Sequence, residues 1–192
     1  KAVRIPVTVK MRAGWNDTEI NAPTLARMVE DAGAAAVTVH GRTAAQSYTG
    51  RANWDLVAEI AQSVRIPVIG SGDCVEADDV IRRLALGVGG VLVGRGVLRN
   101  PWILAQARDL LDGRPARPVT RRMRGDFLLE YIDLLLDERV AEADGFRHVA
   151  PGLDPLAVAA PAKGREKWVI NKLRALNAWY SKGYHGGSHL RT

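Results

Sequence analysis

The chain has 192 residues, 47% of them hydrophobic, and its 27 Lys and Arg against 21 Asp and Glu give a formal net charge of +6. That length buries a substantial core in one or two domains, and no apolar stretch approaches the roughly 20 residues needed to span a bilayer. Cys74 is the single cysteine, which excludes an internal disulfide and fits a reducing compartment, so a cytoplasmic protein is expected.

The first residue is Lys1, which suggests a piece of a longer protein. A first β-branched run, Ile5 to Val9, leads into Lys10 and Arg12. Leu25, Met28, Val29 and Ala32 then share one helical face, and Gly33 supplies a C-terminal stop. A second strand, Ala35 to Val39, ends at His40 and opens into GRTAAQSYTG. Asn53 suits the N-cap of a helix carrying Leu56, Val57 and Ile60. Ile66 to Ile69 form a third strand ahead of GSGDCV, and Val80, Ile81 and Leu84 mark a third helix that stops near Gly87. Gly90 to Val93 form a fourth strand, followed by a helix from Trp102 to Leu111. Strands that are nearly continuously apolar and alternate with helices predict a parallel sheet covered by helices.

After residue 113 the rhythm changes. RPARPV, residues 114–119, reads as a linker, and Phe127, Leu128, Tyr131, Leu134 and Leu135 mark an amphipathic helix. Residues 145–162 read as a loop, and Val169, Leu173, Leu176 and Tyr180 form the stripe of a last helix. The expected domains are therefore 1–113, an α/β unit, and 120–192, a small helical unit. Residues 1–113 carry 13 basic and 12 acidic residues, whereas 114–192 carry 14 and 9. The basic excess lies in the helical part, where a polyanion would meet it; ordinary solvated helix faces are the alternative.

All four polar clusters fall at the C-terminal ends of strands, the edge at which parallel sheets bind ligands. Lys10 and Arg12 project to one side of their strand and suit an anionic partner; a solvated strand end is the alternative. His40 is either a ligand contact or a hydrogen-bonded structural histidine. Ser71, Gly72 and Asp73 form a glycine turn whose amides can wrap a phosphate, although a plain tight turn has the same sequence; Asp73 can serve a ligand hydroxyl or cap the next helix. Gly94 and Arg95 form a second glycine turn after the last strand, and two such turns on consecutive strands resemble the phosphate site of barrel enzymes. The two histidines of HGGSH, residues 185–189, do not suit a metal, and Cys74 suits packing better than nucleophilic chemistry.

VKMRAGW, HGRTAAQSYTGRANW, IPVIGSGD and GVLVGRGVLRNPWI, in that order and spacing, resemble the tRNA-dihydrouridine synthase family, and KLRALNAWYSKGYHGGSHLR resembles its C-terminal helical region. The resemblance implies the C-terminal half of a TIM (β/α)8 barrel, strands five to eight, followed by a helical tRNA-binding domain. It implies FMN as cofactor, NADPH as reductant and uridine in tRNA as substrate. Lys10 and His40 would contact the flavin ring; Ser71, Gly72, Asp73, Gly94 and Arg95 would hold its phosphate; Arg12 and Arg42 would face the substrate. The family's turn often has Asn where Ser71 stands. Its proton-donating cysteine lies upstream of the VKMR-like strand, so no catalytic residue is expected within this chain. The missing barrel half becomes an expected partner, and the isolated chain is expected to be inactive. Two other readings stay open: a flavin barrel acting on a free pyrimidine, as in dihydroorotate dehydrogenases, and a non-catalytic RNA-binding remnant.

Overall fold

The computed structural model describes residues 3–137 and 165–182. The chain divides into two compact units at Arg117 and Pro118. The loop expected at 145–162 and the HGGSH segment lie outside the described residues. Among the described residues, no helix is long and apolar enough to cross a membrane.

The first unit alternates strand and helix: β1 (Thr8–Arg12), α1 (Ala22–Asp31), β2 (Ala36–His40), α2 (Trp54–Ser63), β3 (Val68–Ser71), α3 (Ala77–Leu84), β4 (Gly90–Leu92), α4 (Arg95–Arg99) and α5 (Ile103–Leu111). The strands form one parallel sheet in the order β1-β2-β3-β4, as the alternation of elements predicts. Val37, Val39, Val57, Ile60, Val68 and Ile103 are fully buried and make the core between sheet and helices. The residues alternating with them on the strands, Ala36, Thr38, His40 and Ile69, are only half-buried.

Several boundaries differ from the sequence reading. β1 starts at Thr8, three residues later than the run from Ile5 suggests, and continues through Arg12, which keeps Lys10 and Arg12 on the strand. The ladder decides this: Thr8 pairs with Ala36, where β2 begins, whereas Val3, Ile5 and Val7 stay exposed. β4 ends one residue early, at Leu92, and the short helix α4, which apolar periodicity did not reveal, follows after Val93 and Gly94. Asp73 does not cap α3: Glu76 and Asp79 form a capping box there, with Val75 N and Glu76 N both donating to Asp79 Oδ2 at 2.9 Å.

The expected linker at 114–119 is partly packed. Asp109, on α5 and 3% exposed, accepts from Arg117 Nε at 2.6 Å and Arg117 Nη2 at 2.9 Å, and Arg114 Nη2 lies 3.1 Å from it. Gln106 donates to Arg117 O at 2.9 Å, so 114–117 belong with the α/β unit. Hydrogen bonds from Arg117 hold the Asp109 carboxyl down at about 2, from an ordinary value of 3.8. A depressed carboxyl pKa stabilises the fold above the unfolded value, and that contribution fades as the pH falls through the folded one. The stability gap between the wild type and Asp109→Asn, measured by urea unfolding, is therefore expected to be full above about pH 4 and to close toward pH 2.

The second unit holds α6 (Arg121–Leu136) and α7 (Arg165–Tyr180). Thr120 caps α6 by accepting from Met123 N at 3.2 Å. Leu135, Val169, Leu176 and Tyr180 are buried between the helices, and Phe127 stacks on Tyr180 with centroids 5.7 Å apart. Leu134, expected on the inner face, points outward and is 53% exposed.

Candidate functional site

The ladder brings the predicted residues of the first three strands to one end of the sheet. Arg12 pairs in register with His40, and His40 with Ser71; Gly94 and Arg95 come one residue after the end of β4. His40 lies at the centre of this rim. Burial and the charges of Arg12, Arg42 and Lys10 lower its pKa from 6.5 to about 4, against a smaller opposing effect of Asp73. The imidazole is therefore neutral at physiological pH, with three cations around it, and its buried Nδ1 has no hydrogen-bond partner.

The polar set of HGRTAAQSYTG serves its own loop first. Arg12 Nη1 donates to Thr43 O at 2.9 Å and Ser47 O at 3.2 Å, while Gln46 Oε1 accepts from Thr43 N at 2.9 Å. Arg42, only 3% exposed, donates from Nε to Thr49 O at 2.9 Å and from Nη2 to Gly50 O and Asp73 Oδ1, both at 2.8 Å. Its Nη1 is buried without a partner. Asp73 Oδ2 accepts from Ala52 N at 2.7 Å. Arg95 stacks over Tyr48, its guanidinium carbon 4.5 Å from the ring centroid, which brings the β2 loop to the β4 turn.

The two glycine turns lie next to each other. Gly72 has φ +130, and a Cβ there would lie 2.5 Å from Ala52 Cβ, so the turn packs against the end of the β2 loop only because position 72 lacks a side chain; the same Cβ position is 3.6 Å from His40 Nε2, which puts the turn beside the imidazole. A Cβ on Gly96 would collide with the carbonyl oxygen of Cys74, which ties the β4 turn to the β3 turn. Among the described residues, the N–H groups of Asp73, Cys74 and Gly94 donate to no other protein group. Cys74 is buried, its thiol pushed up to about 11 chiefly by burial, which leaves it protonated and unsuited to nucleophilic attack.

Trp54, which the sequence reading passed over, supports this edge from behind. Its indole is 3% exposed and donates from Nε1 to Gly72 O at 2.9 Å. The available signal was its place directly after the N-cap residue Asn53, which turns the first helical side chain toward the sheet.

Unpartnered buried nitrogens, open amides and clustered cations are what an anionic group rich in acceptors requires. No three His, Cys, Asp or Glu side chains among the described residues are grouped so as to hold a metal ion. In the helical unit, Arg121, Arg122, Lys167, Arg174 and Lys182 are exposed, and Lys182 Nζ lies 4.0 Å from the centre of the Trp179 ring.

The sequence model of the family described as Dihydrouridine synthase (Dus) matches residues 1–174. The chain belongs to that family. Within it, a probable tRNA-dihydrouridine synthase of Rickettsia prowazekii is 43% identical over 143 residues, covering 71% of this chain and 42% of that protein. The Mycobacterium leprae protein of the same description is 35% identical over 194 residues, covering 100% of this chain and 44% of its own length. This dihydrouridine synthase family chain thus spans somewhat less than half of those relatives. Among solved structures, FabK from Thermotoga maritima matches at a TM-score of 0.36 and 28% identity, over 49% of this chain and 35% of that one.

Proposed function

We propose that the rim of the α/β unit holds FMN, and that the chain acts within a tRNA-dihydrouridine synthase that reduces uridine in tRNA to 5,6-dihydrouridine with NADPH as reductant. The observation that carries the reading is the meeting of His40, its three cations and two glycine turns at one end of a parallel sheet. In this reading the four strands are strands five to eight of an eight-stranded barrel, whose other half and proton-donating cysteine lie outside these 192 residues.

When bound, the flavin supplies hydride transfer. The chain's own residues bind and orient. The open amides of Asp73, Cys74 and Gly94, with Ser71, Gly72 and Arg95 beside them, face the phosphate. Lys10 would face the flavin ring, where a positive charge favours added negative charge. Neutral His40 offers a ring nitrogen without adding a fourth charge. Arg12 and Arg42 would lie on the side of the uridine, which has to leave its stack to reach the rim. The exposed cations of the helical unit hold tRNA phosphates.

Two measurements on the full-length protein that contains this chain test the reading. FMN fluorescence should be quenched on binding, with Lys10→Met weakening affinity about tenfold, the size of one charged hydrogen bond. Retention of tRNA should fall at least tenfold between about 50 and about 200 mM salt. A full-length protein that leaves FMN fluorescence unchanged at saturating concentration overturns the flavin assignment; tRNA binding indifferent to salt overturns the nucleic-acid one.

A further inference from the structure

We infer that Asp73 is a positioning residue: its carboxylate locks the Gly41–Asn53 loop to the β3 turn and aims Arg42, without itself meeting the ligand. The inference rests on the flavin reading only for the identity of the ligand.

The loop has two limbs. Arg42 leaves β2 on the first limb and reaches the second, where it binds the carbonyls of Thr49 and Gly50. Asp73 comes from the next strand and holds both limbs at once, through Arg42 Nη2 at 2.8 Å and Ala52 N at 2.7 Å. One carboxylate is therefore the junction of three segments. Both of its oxygens are turned to the loop, and helix capping is done by Glu76 and Asp79.

The backbone supports the same assignment. Asp73 has φ +51, a region open to glycine and tolerated by Asn and Asp but unfavourable for other side chains. Glycine would fit the turn with least strain, so the carboxylate is what an aspartate adds there. Burial opposes its ionisation, but the Ala52 amide and Arg42 prevail and hold its pKa below the ordinary 3.8. The consequences converge on the rim. The turn carries the open amides of Asp73 and Cys74, and Gly72 lies against His40. Arg42, fixed on one edge by Asp73, keeps Nη1 buried and unpartnered at the same rim. Loss of the carboxylate would release the loop and swing both sets of donors out of place.

The test uses Asp73→Asn, which keeps the shape and the turn preference but removes the charge. Hydrogen exchange at Ala52 should rise at least tenfold while Val37 and Val39 in the core keep their protection, and FMN affinity should fall about tenfold. Arg42→Met should produce the same pair of changes, and combining it with Asp73→Asn should add little. Unchanged exchange at Ala52 overturns the inference, and so does an affinity loss without loosening of the loop, which would make Asp73 a direct ligand contact. If the wild-type full-length protein binds no FMN, the flavin reading fails, and the exchange measurement still decides whether Asp73 fastens the loop.

Discussion

Gly70→Ala is expected to destabilise the α/β unit by about 3 kcal/mol, the upper part of the range for one methyl forced into a packed core. Gly70 is on β3, on the face that also presents Val68 to the helices. A Cβ there would collide with Trp54 Cζ3, and it would lie 2.6 Å from Cη2 and 3.1 Å from Val57 Cγ1. Neither neighbour can yield easily. Val57 is fully buried, and Trp54 is held by its bond to Gly72 O and by Arg83, which stacks over its ring at 5.0 Å. The damage should reach the rim, because an indole pushed away from Gly70 loses its grip on the Gly72 carbonyl. Trp54→Leu alone should also be costly, about 3 kcal/mol from the cavity it opens. In the double variant that cavity accepts the added methyl, and the two losses should fall short of their sum by about 2 kcal/mol. Urea unfolding of the four proteins measures the cycle; strict additivity would mean that the two side chains do not compete for one space.

The same contact shows what the sequence could and could not convey. Strand and helix alternation is local: apolar runs of four or five residues separated by amphipathic stretches. It placed β2 and the first three helices closely and β3 two residues early, and it put His40 and Ser71 at strand ends. Register is not local. The run Ile5 to Val9 looked like the strand, but pairing with Ala36 starts the ladder at Thr8, and nothing within the run encodes that partner. The side-chain partnerships of the rim are also long-range: Arg42 meets Asp73, and Trp54 meets Gly72, across large gaps in sequence. The polar letters of the β2 loop were legible as a cluster at a sheet edge. That Arg12, Arg42 and Gln46 bind the loop's own backbone was not, because a donor bound to a carbonyl and a donor awaiting a ligand are the same letter. Leu134 shows the matching limit in the helical unit, where periodicity admitted it to the inner face and the partner helix left it outside.

In that unit, Arg165→Ala is expected to cost about 3 kcal/mol, because it would leave main-chain carbonyls of the α6 end unpaired. Arg165 opens α7 and is only 6% exposed. Its Nε donates to Leu135 O at 2.7 Å and its Nη2 to Asp137 O at 2.6 Å, so one guanidinium satisfies carbonyls that the end of α6 cannot satisfy itself. Its carbon also lies 4.4 Å from the centre of the Trp168 ring, which adds about 1 kcal/mol in a partly desolvated setting. At the opposite end of the pair, Tyr180 Oη donates to Arg124 O at 3.0 Å. The two helices are thus fastened at both ends by side chains bound to backbone carbonyls, with a modest apolar stripe between. A lysine at 165 keeps the charge but lacks the fork that reaches both carbonyls, so Arg165→Lys should recover less than half of the loss. Thermal melting followed by far-ultraviolet circular dichroism, with hydrogen exchange along α6, separates the outcomes. Exchange should accelerate over the last turn of α6 first and leave Val37 and Val39 of the α/β unit untouched. Full recovery by lysine would show that charge near the helix end, rather than the paired hydrogen bonds, is what holds α6 and α7 together.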